Sequence, residues 1–162
     1  MAFSVTINTL DRHRAFLNEV TVRLCLHSLK DSCDKHSMTV LAYCFMPDHL
    51  HLLLEGSDRS NLVDFMKRFK QLSGFGNKTK TGHQLWQKGY YDHVVRQEED
   101  LKDIARYIFE NPCRARIVNG PALYPYSGGE YFEPMLERQP EGSPYGGVRE
   151  PEGIHYADGL PR

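Results

Sequence analysis

The chain of 162 residues contains no run of about 18 apolar residues, so a helical membrane span is not expected. The N-terminus has no basic segment followed by an apolar stretch and a small-residue cleavage site, so no secretory signal is expected either. Together these absences predict a cytoplasmic protein with no membrane partner. Cysteine is scarce: Cys25, Cys33, Cys44 and Cys113 form no C-x-x-C pair and no zinc-knuckle spacing, which predicts reduced thiols without assigned chemistry. Neither sign of charge dominates, since 20 Lys and Arg face 21 Asp and Glu for a net charge of −1. On that total, nucleic acid is a poor partner. Proline and glycine are also thin through residue 118, which holds 2 of the 9 prolines and 5 of the 13 glycines.

Each of the last two averages hides a segmentation. Residues 1–58 balance at −2, residues 59–118 at +5 and residues 119–162 at −4. The basic charge is therefore local to the middle of the chain. The final 44 residues concentrate the remaining 7 prolines and 8 glycines, a composition that does not build a core. One domain is expected over 1–126, with 127–162 as an acidic, poorly ordered tail.

Within the domain, the alternating β-branched run 2–8 (AFSVTIN) predicts a first strand. A helix is expected from Arg14 to about Ser32, with Phe16, Val20 and Leu24 as its apolar stripe and Leu17 beside them. Residues 38–46 and His49 to Glu55 read as two strands turning at Pro47-Asp48. A second helix starts at Ser60 or Asn61, buries Leu62, Phe65, Met66, Phe69 and Leu72, and is expected to stop at Gly74 and Gly76. Leu85 to Arg96 reads as a fourth strand. The last helix runs from about Glu98 to Asn111, with an acidic first turn and Pro112 as its stop. The order β-α-β-β-α-β-α predicts an α+β, ferredoxin-like or RRM-like fold. Its antiparallel four-stranded sheet carries helices on one face, and the last helix lies near the free face, which is left for a site.

Two short patterns carry chemistry. On a strand, His49 and His51 project to one face while Leu50, Leu52 and Leu54 point to the other. Two adjacent imidazoles suit a divalent metal, although a bare H-x-H is also an ordinary surface pair. In the last helix, Leu101, Ile104, Ala105 and Ile108 form the buried stripe, and Tyr107 and Asn111 share one edge 40° apart at 100° per residue. Taken singly, the tyrosine is also a packing residue and the asparagine a helix-end residue. The basic segment supplies Lys67, Arg68, Lys70, Lys78, Lys80, Lys88 and Arg96, interleaved with Phe75, Trp86, Tyr90 and Tyr91. Such a mixture neutralises phosphates and stacks on unpaired bases, or else forms a solvated helix face over core aromatics, with Trp86 equally suited to the core.

The runs Tyr43–Gly56 (YCFMPDHLHLLLEG), Leu85–Arg96 (LWQKGYYDHVVR) and Tyr107–Pro112 (YIFENP) together resemble the single-tyrosine HUH transposases. Within them the chain is most similar to the REP-associated tyrosine transposases, of the insertion-sequence-200-like group. The resemblance implies that His49, His51 and Asn111 bind Mg²⁺ or Mn²⁺ and that Tyr107 is the nucleophile on hairpin-bearing single-stranded DNA. It further implies strand transfer through a 5′-phosphotyrosine, and a monomer or homodimer. The chain departs from the family at Phe3-Ser4-Val5-Thr6, where relatives often carry a Tyr-His-Val-Thr run. His93 has no assigned role, nor does Tyr124–Ser127. Two rival functions follow from the same residues: a domesticated hairpin-binding protein without transposition activity, and a metal-dependent phosphodiesterase in which Tyr107 is structural.

Overall fold

A computed structural model describes residues 1–132. Strand β1 (Ala2–Asn8) leads through two 3-10 turns, Leu10–Arg12 and Ala15–Leu17, into helix α1 (Glu19–His36). Strands β2 (Met38–Met46) and β3 (His49–Gly56) form a hairpin, followed by helix α2 (Leu62–Thr81), strand β4 (Tyr91–Val95) and helix α3 (Glu98–Arg114). A 3-10 turn at Pro121–Leu123 precedes a two-residue strand, β5 (Ser127–Gly128). The sheet order is β4-β1-β3-β2-β5, with every neighbouring pair antiparallel. The first four strands form the expected split βαβ arrangement.

The fifth strand is additional. Ser127 and Gly128 pair with Cys44 and Tyr43, so the expected boundary at 126 falls just before an element of the sheet. Tyr131 packs on the core and Phe132 meets Phe109 with ring centroids 4.8 Å apart. Residues 133–162 of the expected tail lie outside the described residues. Among the described residues no helix is long and apolar enough to cross a membrane.

Neighbours across an antiparallel ladder share a sheet face. The register therefore groups Val5 and Ile7 with Leu50, Leu52 and Leu54 on one face, where Phe16, Val22, Leu29, Phe65, Phe69 and Trp86 complete a core under α1 and α2. The opposite face carries Ala42, Cys44, Met46 and Leu53, covered by Leu101, Ala105 and Ile108 of α3. Helices α1 and α2 thus cover one face, and α3 lies on the other, the face expected for the last helix. It is α3 that shares its face with His49 and His51.

Four local expectations are corrected. The α1 stripe is out of phase: Val20 is 50% exposed, and the buried face is Thr21, Val22, Cys25, Ser28, Leu29 and Ser32. The reason is that residues 10–17 are not α-helical, so Phe16 is buried from a turn, and the helix begins at the Asn18 cap, whose side chain accepts from the Val20 amide at 3.0 Å. Second, α2 passes through Gly74 and Gly76 and stops at Gly82, which is left-handed with φ 77°. Gly76 lets α1 approach, since a Cβ there would lie 2.8 Å from Leu24 Cδ1. Beyond it, Asn77 is buried and holds the extra turn by accepting from Thr21 at 3.1 Å and donating to the His83 carbonyl at 3.0 Å. Third, the fourth strand is only Tyr91–Val95, because Gly89 (φ 80°) turns the chain and Trp86 reaches β1's end through a single bridge to Thr9.

Fourth, α3 continues through Pro112 to Arg114. Proline removes one amide donor, yet Pro112 and Cys113 are buried, and the Pro112 carbonyl accepts from Ile117 at 2.9 Å. All four cysteines are free; burial pushes Cys33 and Cys113 up to about 11 and Cys44 to about 12, keeping those three as neutral thiols at pH 7.

Trp86 is core, and its indole N–H donates to Ser73 Oγ at 2.8 Å. Ser73→Ala leaves that buried donor without a partner, which should cost about 1–3 kcal/mol. Urea unfolding checks this, and an unchanged midpoint contradicts it.

Candidate active site

β3 and α3 bring together the four residues singled out from the sequence. His49 and His51 project from β3 toward the α3 face, with their Nε2 atoms 3.1 Å apart. The Tyr107 ring lies 6.3 Å from that of His51, at an interplanar angle of 85°. Asn111, one turn further along α3, lines an open cleft with His49, Met46 and Pro47. Tyr107 is 54% exposed, so solvent reaches its side chain.

Each imidazole is fixed through its other nitrogen. His49 Nδ1 is 2.7 Å from Asp48 Oδ1, and His51 Nδ1 is 3.1 Å from Thr6 Oγ1, the residue opposite it in the register. Arg12 in turn donates to Asp48 Oδ2 at 3.0 Å and to Asn8 Oδ1 at 2.8 Å. Arg12 and Asp11 have positive φ, 55° and 52°, and the Thr9 hydroxyl holds this turn through the His13 and Asp48 carbonyls at 2.7 and 2.9 Å. A backbone conformation uncommon for non-glycine residues is thus maintained beside the site.

Burial keeps both imidazoles neutral. Desolvation drives His51 down to about 3, with His49, Arg114 and Arg12 adding repulsion. Desolvation also lowers His49, against the opposing pull of Asp48. Burial pushes the Asp48 carboxyl upward, but the hydrogen bonds from His49 and Arg12 outweigh it and leave the group below its usual range.

The pH consequence has a definite sign. An unfolded histidine takes up a proton below about 6.5, whereas folded His51 stays neutral to about 3. In that window the unfolded state binds more protons, so the contribution is full above pH 6.5 and is lost as pH falls toward 3. Urea midpoints of metal-free protein should therefore drop across this range, and less so in His51→Ala. An identical acid loss in the variant contradicts the assignment.

Two imidazole nitrogens are borderline donors, which engage a divalent transition ion such as Mn²⁺ more readily than Mg²⁺. The two Nε2 atoms, 3.1 Å apart, are close enough for one cation to engage both. In the tautomer whose Nδ1–H groups are directed at Asp48 and Thr6, both Nε2 lone pairs face the same space and are available to a cation; if the Thr6 hydroxyl instead donates to His51 Nδ1, the His51 Nε2–H donates to His49 Nε2. Among the described residues no three His, Cys, Asp or Glu side chains converge as a metal cluster. A third protein ligand would have to be of another type, such as the Asn111 amide.

The basic residues are dispersed. Lys67, Arg68, Lys70, Lys78 and Lys80 belong to α2, on the sheet face opposite the histidines. Arg68 pairs with Asp31 of α1 at 2.7 Å, and Lys70 braces the turn before β4 by donating to the Gln87 and Gly89 carbonyls at 2.8 and 2.7 Å. Lys67, Lys78, Lys80, Lys88 and Arg96 are exposed. Arg96 and His93 line a second cleft at the start of α3 with Asp100 and Asp103. His93 sits opposite Ser4, on the histidine face but one cross-strand row away from His51.

Sequence reasoning missed Asp48, Thr6, Arg12 and Arg114. Asp48 reads as a turn residue and Thr6 as a strand former. Arg114 lies beyond the expected helix end, yet its Cζ stands 3.9 Å over the Tyr107 ring centroid and its guanidinium donates to the Tyr107 carbonyl.

Comparison with known proteins bears on the family and the fold. The family model described as "Transposase IS200 like" matches residues 1–111. A REP-associated tyrosine transposase of Escherichia coli (strain K12) is 24% identical over 127 residues, covering 75% of this chain and 72% of that protein. A candidate REP-associated tyrosine transposase of Haemophilus influenzae is 25% identical over 134 residues, covering 75% and 76%. Among solved structures, a REP-associated tyrosine transposase bound to a REP hairpin superposes with a TM-score of 0.70 at 18% identity, over 85% of this chain and 79% of the other. A candidate transposase from Deinococcus radiodurans gives a TM-score of 0.53 at 26% identity, over 68% and 89%. The chain belongs to the IS200-like transposase family.

Proposed function

We propose that the chain is a DNA strand transferase that cleaves and rejoins hairpin-bearing single-stranded DNA through a 5′-phosphotyrosine on Tyr107. The observation that carries this reading is the meeting of an exposed tyrosine with the paired imidazoles: Tyr107 stands 6.3 Å from His51, whose Nε2 is 3.1 Å from that of His49. Hairpin DNA is favoured because a solved protein of the same fold is bound to a REP hairpin.

In the first step the phenol oxygen attacks phosphorus. The bond from Tyr107 to phosphorus forms, the P–O3′ bond breaks, the phenolic proton leaves, and the departing 3′ oxygen takes up a proton. One phosphodiester replaces another, so a 3′-hydroxyl of a second strand reverses the step and frees the phenol without ATP. His49, His51 and Asn111 would hold Mg²⁺ or Mn²⁺, which when bound supplies Lewis acidity to the scissile phosphate. Asp48 and Thr6 orient the imidazoles so that each Nε2 is presented, and Arg12 steadies Asp48. The exposed Lys67, Lys78, Lys80, Lys88 and Arg96 are proposed phosphate contacts, so affinity should fall as salt rises.

Incubation with short single-stranded hairpins and Mn²⁺, followed by a denaturing gel, tests the proposal. A protein-linked strand with a free 3′-hydroxyl on the other product is expected. Tight binding without an adduct favours a domesticated hairpin-binding protein, and free 5′-phosphate products without an adduct favour a phosphodiesterase; either overturns the reading.

A further inference from the structure

Tyr107 presents an alignment problem. An attack on phosphorus needs the phenol oxygen held on one approach line, and a ring that is 54% exposed has little packing to hold it there. Three contacts meet this need, and two of them come from one side chain. Arg114 Cζ lies 3.9 Å from the ring centroid, and the same guanidinium donates to the Tyr107 carbonyl, while its Nη1 lies 3.4 Å from Glu110 Oε2. The third is the edge-to-face ring of His51. Helical spacing explains the reach: positions 107 and 114 differ by seven residues, within 20° of two full turns, so both side chains rise from one stripe of α3.

We infer that Arg114 is the positioning residue for Tyr107, a planar clamp that covers one face of the ring and ties it to the tyrosine's own backbone. The inference rests on Tyr107 as the nucleophile. A guanidinium suits this role because its flat face stacks on the ring while its edge donates hydrogen bonds; an ammonium provides a cation without the plane. The continuation of α3 through Pro112 is what brings Arg114 into place, since a helix ending at Asn111 leaves it on a loop. The clamp leaves the hydroxyl edge free, as strand exchange requires, because the tyrosine must engage phosphorus in cleavage and release it in joining.

The test uses the full chain with Arg114→Gln, and with Arg114→Lys as a second variant that keeps the charge. In single-turnover cleavage at saturating hairpin DNA and Mn²⁺, Arg114→Gln should lose roughly 10- to 100-fold in rate. Arg114→Lys should recover only part of that loss, and added guanidinium ion should partly rescue Arg114→Ala. The Kd for the hairpin and its salt dependence should stay at the wild-type value. A second readout needs neither DNA nor metal: with ring-labelled tyrosine, the NMR signals of Tyr107, identified by their loss in Tyr107→Phe, should move in Arg114→Gln. Wild-type cleavage with unmoved ring signals overturns the inference, and so does a rate loss matched by weaker binding and a shallower salt slope, which makes Arg114 a phosphate contact. If the wild-type chain forms no adduct, the functional reading fails, while the ring signals still decide whether Arg114 orders Tyr107.

Discussion

Tyr107→Phe is expected to abolish covalent capture of the DNA strand while leaving hairpin binding close to wild type. The substitution removes one oxygen and keeps the ring, so the stack under Arg114 and the edge contact to His51 persist. The fold should be indifferent, because the tyrosine is half exposed and its ring contributes little to the core. The chemistry, in contrast, loses the atom that forms the new bond. Water in its place gives hydrolysis and no adduct, so the rate of strand capture should fall by at least about 10⁴-fold, equivalent to roughly 5.5 kcal/mol of barrier. Gel assays under single-turnover conditions measure this, and an undiminished rate removes Tyr107 from the mechanism.

The second large effect is expected for His49→Ala combined with His51→Ala. Both imidazoles are held neutral by burial and both present Nε2 to the same space. Removing them takes away the paired donors and leaves, of the three proposed ligands, only the Asn111 amide. Metal-dependent cleavage should become undetectable, and Mn²⁺ binding followed by calorimetry or by the metal's magnetic resonance should be lost in parallel. Asp48→Ala should fall between the two, with metal affinity lowered about 10- to 100-fold, because it removes only the partner that orients His49. The unfolding midpoint of each variant separates loss of ligands from loss of fold. Full activity of the double variant, or of wild type in EDTA, contradicts a metal role for this pair.

The parts of the fold that the sequence made legible are those governed by short periods. The two-residue alternation of β3 separates Leu50, Leu52 and Leu54 from His49 and His51, and the α3 stripe through Leu101, Ala105 and Ile108 sets Tyr107 and Asn111 on one flank. What escaped was decided by tertiary contact. Gly74 and Gly76 are helix-weakening in isolation, but the hydrogen bonds of Ser73 and Asn77 and the close approach of Leu24 carry α2 past them. Pro112 is a sound stop signal locally and is overridden by the burial of its own turn, which conceals Arg114 from a reading that ends the helix at Asn111. The near-zero net charge is a third case. The +5 segment is real, yet Arg68 and Lys70 spend their charge on α1 and on the turn before β4, and α2 faces away from the histidines. Charge counts located the basic residues without showing which had structural partners.

The most direct measurement of the central claim is the position of the covalent bond. After reaction with a short single-stranded hairpin, nuclease trimming and trypsin digestion, cleavage after Arg106 and Arg114 yields the peptide Tyr107–Arg114. Mass spectrometry should find the residual nucleotide on that peptide, with fragment ions assigning it to Tyr107. Nucleotide on a peptide containing Tyr90 or Tyr91, or strand cleavage with every tyrosine peptide unmodified, contradicts the account.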